Sequence, residues 1–411
     1  MARPAARSDR ACPKVTAVGP RQTGLTFINA QLSDGVITTL RIAGSRIAAL
    51  GTKPQAGDLV IDAGGDRVLP GLINAHDHLQ LNSLPCLGFG KRYDHVRDWI
   101  DDIQLRRRSD PVFEAGIAVA RDARLLIGGV KNLLSGVTTV AHHDPLYPFL
   151  SDADFPTHVV AEYGWAHSLY LGGEAQVRSS YQRTPAHWPW MIHAAEGLGE
   201  DAANEFERLD ALGCIGANTL LVHGIALDQA QRIRIDRAAA GLIWCPSSNL
   251  RLFGKTAEVS DLLAQGRLAL GTDSRLSGAR DLLDELRVAA EIGELGDSML
   301  QSLVTRDNAR LLRLPDRGSL LAGFRADILF ISAGAQLSAM HRRDVRLVLR
   351  EGCAQYGDKD YLQYFAPPAN WVEVRVDGKP KILSSKVAAL LSNAGMSEVG
   401  LDISGIAWRA A

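Results

Sequence analysis

The sequence predicts an α/β chain: a (β/α)8 TIM-like barrel, abbreviated around its third and fourth strands, with a small β-sandwich domain built from N- and C-terminal segments. Three observations predict it. Apolar strand-like runs alternate with helical patterns over residues 67–316, short strands without helices flank that stretch on both sides, and polar residues end successive runs at intervals of about one βα unit.

Residues 1–22 are basic and rich in small residues, and no apolar run of about 7 to 15 residues follows them, so they read as a disordered tail rather than a secretory signal. Within residues 23–66, "LTFINAQLSD", "TTLRIAGSRIAALG" and the start of "DLVIDAGGDRVLPG" read as short strands broken by Gly, Asp and Asn. In the middle, "GLINAH", "GVTTVAH", "WMIHAA", "TLLVHG", "GLIWCP" and "LALGTD" are strand candidates. Helices are expected over Pro111–Leu134, Asp201–Leu212, Leu227–Ala239 and Ala279–Ile292, the last carrying an apolar stripe at Leu282, Leu283, Leu286 and Ala290.

Strand ends at His193, His223, Cys245 and Asp273 follow one another after 30, 22 and 28 residues, each about one βα unit. Only 53 residues separate Val140 from His193, where three units would need roughly 75. "THVVAEYG" and "AHSLYLGG" could each supply a short strand there, so at least one helix should be lost or reduced. Residues 317–382 return to short strands in "GFRADILFISAG", "DVRLVLREGCA" and "WVEVRVDGKPKIL", completing the composite domain with 23–66, and residues 383–411 are expected as a helical extension.

Composition narrows the function. The chain has 411 residues, 45 Lys+Arg against 46 Asp+Glu, which gives no electrostatic reason to expect nucleic acid or an anionic membrane and suits a small-molecule substrate. No run approaches the roughly 18 apolar residues of a membrane span. Five scattered cysteines without a C-x-x-C pair argue against a disulfide framework or a thiolate zinc site, and point to a cytoplasmic protein.

In a parallel barrel the C-terminal strand ends form the active face, so His76, His193, His223 and Asp273 should converge. In "NAHDH", strand alternation puts His76 and His78 on one side, close enough to share an ion, with Asp77 facing away. Such a pair alone is equally a turn or a hydrogen-bonded core pair. Three histidines with one carboxylate make an N/O ligand set suited to zinc or ferrous iron, leaving a position for water. Glu196, three residues after His193, stands where a general acid/base is needed, or is a first-turn glutamate favoured by a helix dipole. His223 as a satisfied buried histidine and Asp273 as a helix cap are the plain alternatives; four such groups at successive strand ends favour a site.

In the order "PGLINAHDH", "IHAAE", "LVHG", "WCPSSN" and "LGTDSRLSG", with "GFRADILFI" in a flanking segment, the chain resembles the amidohydrolase superfamily over about residues 25–355. It looks most like the mononuclear branch of guanine deaminases, S-adenosylhomocysteine and methylthioadenosine deaminases, and atrazine chlorohydrolase. The resemblance implies that His76, His78, His193 and Asp273 bind one divalent ion, zinc or alternatively ferrous iron. It also implies that Glu196 shuttles protons, that His223 lies beside the water or substrate, and that the protein is a homodimer. Binuclear relatives bridge two metals with a carboxylated lysine on a middle strand; Lys131, in an expected helix, and Lys255, after the seventh strand, do not fit that place, which favours one metal, with Glu162 as the alternative bridge to a second.

The implied reaction is hydrolysis of a C–N bond in a cyclic amidine or aminated heterocycle, with release of ammonia. Asp273 would take a proton from water, Glu196 would protonate nitrogen, and His223 would stabilise developing charge. Gln80, Asn82, His143, Asn249 and Arg275 are the expected substrate contacts, Asn249 being equally a brace for its loop. Where the deaminase relatives carry a "PHS"-like element on the fourth strand, this chain offers only "WAHSLYL". Opening of a cyclic amide and a non-catalytic metal- or ligand-binding homologue are the alternatives. No P-loop, G-x-S-x-G elbow or dinucleotide fingerprint is present.

Overall fold

Ile-, Val- and Leu-rich strands from both ends of the chain pair into one eleven-stranded mixed sheet. The computed structural model describes residues 24–87, 90–365 and 368–403, so the expected tail at 1–22 and the last part of the C-terminal extension lie outside the described residues. From one edge the sheet runs Leu401–Ile403, Trp371–Val376, Lys379–Ser384, Cys353–Gly357, Val345–Arg350, Ile328–Ile331, Arg67–Pro70, Gly24–Gln31, Ile37–Ala43 and Arg46–Leu50, with Asp58–Asp62 also pairing Gly24–Gln31.

Both faces of this sheet are buried, as strand alternation allows. Ile328, Phe330, Leu347 and Leu349 pack with Phe27, Leu40 and Ile42, whereas Leu329, Ile331 and Val348 join the larger core with Leu133, Leu134 and Val137. The terminal segments share one hydrogen-bonded sheet. Two differences from the sequence reading follow. The first part of the sheet extends to Pro70, because Arg67–Pro70 pairs antiparallel with Ile328–Ile331. Among its described residues the C-terminal extension is helical only over Ser385–Ala394; Leu401–Ile403 then pairs with Trp371–Val376. Cys353 is disulfide-bonded, which the scatter of cysteines did not predict.

Arg67–Pro70 leads through Gly71 into the parallel strands that carry the site. These are β1 (Leu72–Asp77), β2 (Val137–His142), β3 (His158–Val159), β4 (Gly164–Trp165), β5 (Trp190–Ala194), β6 (Thr219–His223), β7 (Gly241–Trp244) and β8 (Leu268–Leu270). They form two parallel ladders, β1 to β3 and β4 to β8. Thr272 N and Asp273 N, just past β8, donate to His76 O in β1 at 3.0 and 3.1 Å and so tie the second ladder to the first. That approach needs Gly271: a Cβ there would lie 2.6 Å from His76 Cβ.

Ile73, Ala75, Met191, Leu220, Val222, Ile243 and Ala269 form one buried cluster shared by both ladders. Helices Glu200–Ala211, Gln229–Arg237 and Leu282–Gly293 lie close to where the apolar pattern predicts them. Asp281 fixes the start of the last by accepting from Leu283 N and Asp284 N at 3.0 and 3.2 Å. The expected Pro111–Leu134 helix is two, Pro111–Ala118 and Arg121–Leu134, parted where Val119 and Ala120 leave helical geometry.

The abbreviation is deeper than one helix. Between β2 and β3 there is only the 3-10 turn Pro148–Ser151, and β3 and β4 are joined without any helix. "AHSLYLGG" is not a strand: Ser168 accepts from Leu171 N at 3.2 Å and caps the helix Leu169–Arg183.

Candidate metal and catalytic site

The site begins with an irregular strand end. The β1–β2 register shifts between Asn74 and Asp77, and His78 lies one residue past β1, so His76 and His78 share a side with their rings edge to face, centroids 5.0 Å apart. His193 comes from β5. Its Nε2 lies 3.3 Å from both His76 Nε2 and His78 Nε2. Asp273 brings Oδ1 to 3.9 Å from His76 Nε2 and 3.8 Å from His78 Nε2.

The outer nitrogens show what the inner ones must be. His193 Nδ1 is 2.8 Å from the carbonyl of His167, which only accepts, so Nδ1 carries the proton and Nε2 a bare lone pair. His78 Nδ1 is likewise 2.8 Å from Asp144 Oδ2. Lone pairs that face one another 3.3 Å apart in a buried site repel unless a proton or a cation lies between them. The donor set therefore fits a divalent ion, with a carboxylate behind His78 and a carbonyl behind His193, as metal-ligating histidines ordinarily have, while His76 Nδ1 has no partner among the described residues.

Burial, then the neighbouring imidazoles, holds His76 and His193 well below the usual histidine range and keeps them neutral, as ligands must be. His78 is raised: burial opposes this, but the hydrogen bond and charge of Asp144 outweigh it. Asp273 is itself oriented, Oδ2 accepting from Ser277 Oγ and Oδ1 from Ser274 N, both at 2.7 Å.

Glu196 is buried, and burial first, then the charges of Asp273 and Glu205, push its carboxyl well above the carboxylate range. Its Oε1 lies 3.6 Å from His223 Nε2. Asn249 Oδ1 lies 2.8 Å from His223 Nδ1, and Asn249 Nδ2 donates to Thr256 Oγ1 at 3.2 Å, which assigns the amide oxygen to the imidazole. Neutral His223 then offers Nε2 as an acceptor. His223 (φ 74°), Asp273 (φ 52°) and Ala195 (φ 53°) are non-glycine residues in the left-handed region, backbone strain gathered at this one place.

Among the expected substrate contacts, His143 belongs to the cluster. Its ring lies 4.4 Å from that of His193, and the ligand nitrogens of His76, His78, His143 and His193 all lie within 4.8 Å of one another. His143 Nε2 is 3.0 Å from the Ala166 carbonyl, which leaves Nδ1 a buried acceptor without a partner among the described residues. Gln80 Nε2 donates to Asp144 at 2.6 Å while its Oε1 is likewise unpartnered.

Asn249 is the brace rather than a contact, because its amide is spent on His223 and Thr256. Arg275 is not a contact: it is buried, with one terminal nitrogen 2.6 Å from Glu398 and the other 2.9 Å from Asn82 O. Asn82 is fully buried against Asp77 and Lys131. Asp144 is the residue that sequence reasoning missed; its only signal was its place two residues after the end of β2, in "AHHDP".

Residues 186–381 match the Amidohydrolase family. The 5-methylthioadenosine/S-adenosylhomocysteine deaminase 2 of Archaeoglobus fulgidus is 25% identical over 379 residues, covering 78% of this chain and 86% of that protein. The 8-oxoguanine deaminase of Pseudomonas aeruginosa is 32% identical over 152 residues, 33% of this chain and 34% of its own. In fold, the chain is similar to an adenosine deaminase from Xanthomonas campestris with bound zinc, at a TM-score of 0.69, 18% identity and coverage of 90% of this chain and 96% of that one. It is similar also to atrazine chlorohydrolase from Arthrobacter aurescens complexed with zinc, at 0.66, 17%, 80% and 95%.

Proposed function

We propose that this chain, whose residues 186–381 match the Amidohydrolase family, is a metal-dependent deaminase, hydrolysing a C–N bond other than a peptide bond in a small cyclic amidine or aminated heterocycle and releasing ammonia. The carrying observation is the meeting of three imidazole nitrogens and the Asp273 carboxylate beside the buried Glu196, whose carboxyl lies 3.6 Å from His223 Nε2. His76, His78, His193 and Asp273 would hold one divalent ion, zinc first and ferrous iron as the alternative. Bound there, such an ion supplies Lewis acidity and lowers the pKa of water towards neutrality.

The chain's own groups do the rest. Asp273, held by Ser277 and Ser274, accepts a proton from the attacking water. Glu196, whose burial favours the acid form, delivers a proton to the substrate nitrogen. His223 orients the water through Nε2, and stabilises negative charge only after taking a proton itself, since its Nδ1–H is committed to Asn249. The bare acceptors His143 Nδ1 and Gln80 Oε1 suit a partner that presents N–H donors, which aminated rings and cyclic amides both do.

On the same reading the eight parallel strands within residues 67–316 are an incompletely laddered barrel, the segments 23–66 and 317–382 are the composite domain, with Arg67–Pro70 as the strand of its sheet that leads into the barrel, and the protein is a homodimer. The test is metal analysis of the purified protein followed by ammonia release from a panel of aminated heterocycles, beside ring opening of matched lactams. One metal per chain and ammonia are expected. Ring opening without ammonia would replace deamination by lactam hydrolysis, and bound metal with neither product would make the chain a non-catalytic homologue.

A further inference from the structure

Behind the histidine cluster lies a second buried polar group that the proposed chemistry does not use. Lys131 stands in the last turn of the helix Arg121–Leu134, where a lysine ordinarily reaches solvent and complements the helix dipole. Here it is fully buried, together with Asp77, Asn74, Asn132, Asn82 and Thr272. Its Nζ lies 3.1 Å from Asp77 Oδ2, 2.8 Å from Asn82 Oδ1 and 3.3 Å from Thr272 Oγ1.

These partners belong to the two segments that must be held in register for a metal. Asp77 sits between His76 and His78, and Thr272 immediately precedes Asp273. Asn74 completes the tie: its Nδ2 donates to Thr272 Oγ1 at 2.9 Å, and its Oδ1 accepts from Thr272 N at 3.1 Å. Asn132 Nδ2 and Asn82 Nδ2 saturate Asp77 at 2.9 and 2.8 Å. A buried ammonium is costly unless paired and fully hydrogen-bonded, and an apolar residue of similar size would fill this space more cheaply if filling were all that is needed.

We propose that Lys131 is a positioning residue of the metal centre, its ammonium fixing the distance between the His76/His78 pair and Asp273 by bridging Asp77 to Thr272. It touches neither substrate nor ion. Loss of the bridge leaves the ligands present but free to drift apart, so the ion is held less tightly and in altered coordination.

The inference rests on the metal-centre reading, and its test separates the two. Lys131→Met keeps the length of the side chain; adding Asp77→Asn removes the unpaired charge that Lys131→Met alone would leave; Thr272→Val removes only the shared hydroxyl. Zinc affinity is measured by chelator competition on the folded fraction of each variant, with the visible spectrum of the cobalt-substituted protein as a report on coordination and thermal melting as a report on the fold. Lys131→Met and the double variant should bind zinc about 10- to 100-fold more weakly with a changed cobalt spectrum, Thr272→Val less so, and the double variant should recover melting temperature without recovering affinity. Wild-type zinc affinity and an unchanged cobalt spectrum in the folded double variant would overturn the positioning role while leaving the centre intact. A wild-type chain that takes up no ion would overturn the centre itself.

Discussion

His78 Nδ1 and Asp144 Oδ2 lie 2.8 Å apart, so the imidazole just past the first strand is aimed by a carboxylate that follows the second. Asp144→Asn keeps the shape but loses the charge and scrambles which group donates. Metal affinity should fall about 10- to 100-fold in chelator competition, as for other partners behind metal-ligating histidines. Unchanged affinity would leave Asp144 as a mere neighbour.

Glu196→Gln should retain full metal content and lose about 10²- to 10⁴-fold in kcat, because the amide cannot give up a proton. Since burial holds this carboxyl well above its ordinary range, the acid form is the working one and activity should decline as pH rises through the raised pKa. The variant's residual rate should lack that alkaline limb; a retained limb in the pH profile would assign it elsewhere.

Asn249→Ala frees the His223 imidazole to rotate and change tautomer. It should lower kcat by about tenfold or more, part of what proton transfer contributes, with KM and metal content little changed. A selective rise in KM would instead return Asn249 to the substrate.

Glu285 gives a pH signature in stability. Burial pushes its carboxyl from 4.5 up to about 8, although Ser247 N donates to it at 2.9 Å. The folded chain keeps this proton where the unfolded chain has released it, so its contribution is complete below about 4.5 and is lost as pH rises towards 8. Glu285→Gln should gain on the order of a few kcal/mol over wild type at pH 8 relative to pH 5, read as the difference between two denaturant midpoints. Parallel pH curves would refute it.

Glu398→Ala should cost about 3–5 kcal/mol, since Arg342 (2.8 Å) and Arg275 (2.6 Å) would both lose a buried carboxylate partner. Asp281, 2.7 Å from Arg342, cannot serve both guanidinium groups. Chemical denaturation measures the loss, and a change below about 1 kcal/mol would mean that water relieves the charges.

Spacing along the chain was enough to read the strand order and the gathering of His76, His78, His193, Glu196, His223 and Asp273, because parallel strands deliver their ends to one side. Contacts made across long separations left no local trace. Arg275 looked like a pocket arginine until Glu398, 123 residues on, engaged it. Lys131 read only as a residue of an expected helix until Asp77 and Thr272 closed around it. "AHSLYLGG" was open to a strand reading, and Ser168 caps a helix there instead.

The missing helices around β3 bear on how this protein could be taken apart. Where a helical cover is absent, Arg350 of the mixed sheet donates to the carbonyls of Phe155 and Ala153, just before β3, and Phe155 is wholly buried. The sheet thus stands in for scaffolding that the hydrolytic half lacks. A fragment cut to residues 67–316 would expose that flank and the strand Ile328–Ile331 packs upon, so the two halves are poor candidates for modular exchange, and a shuffled chimera would have to carry its own sheet with it.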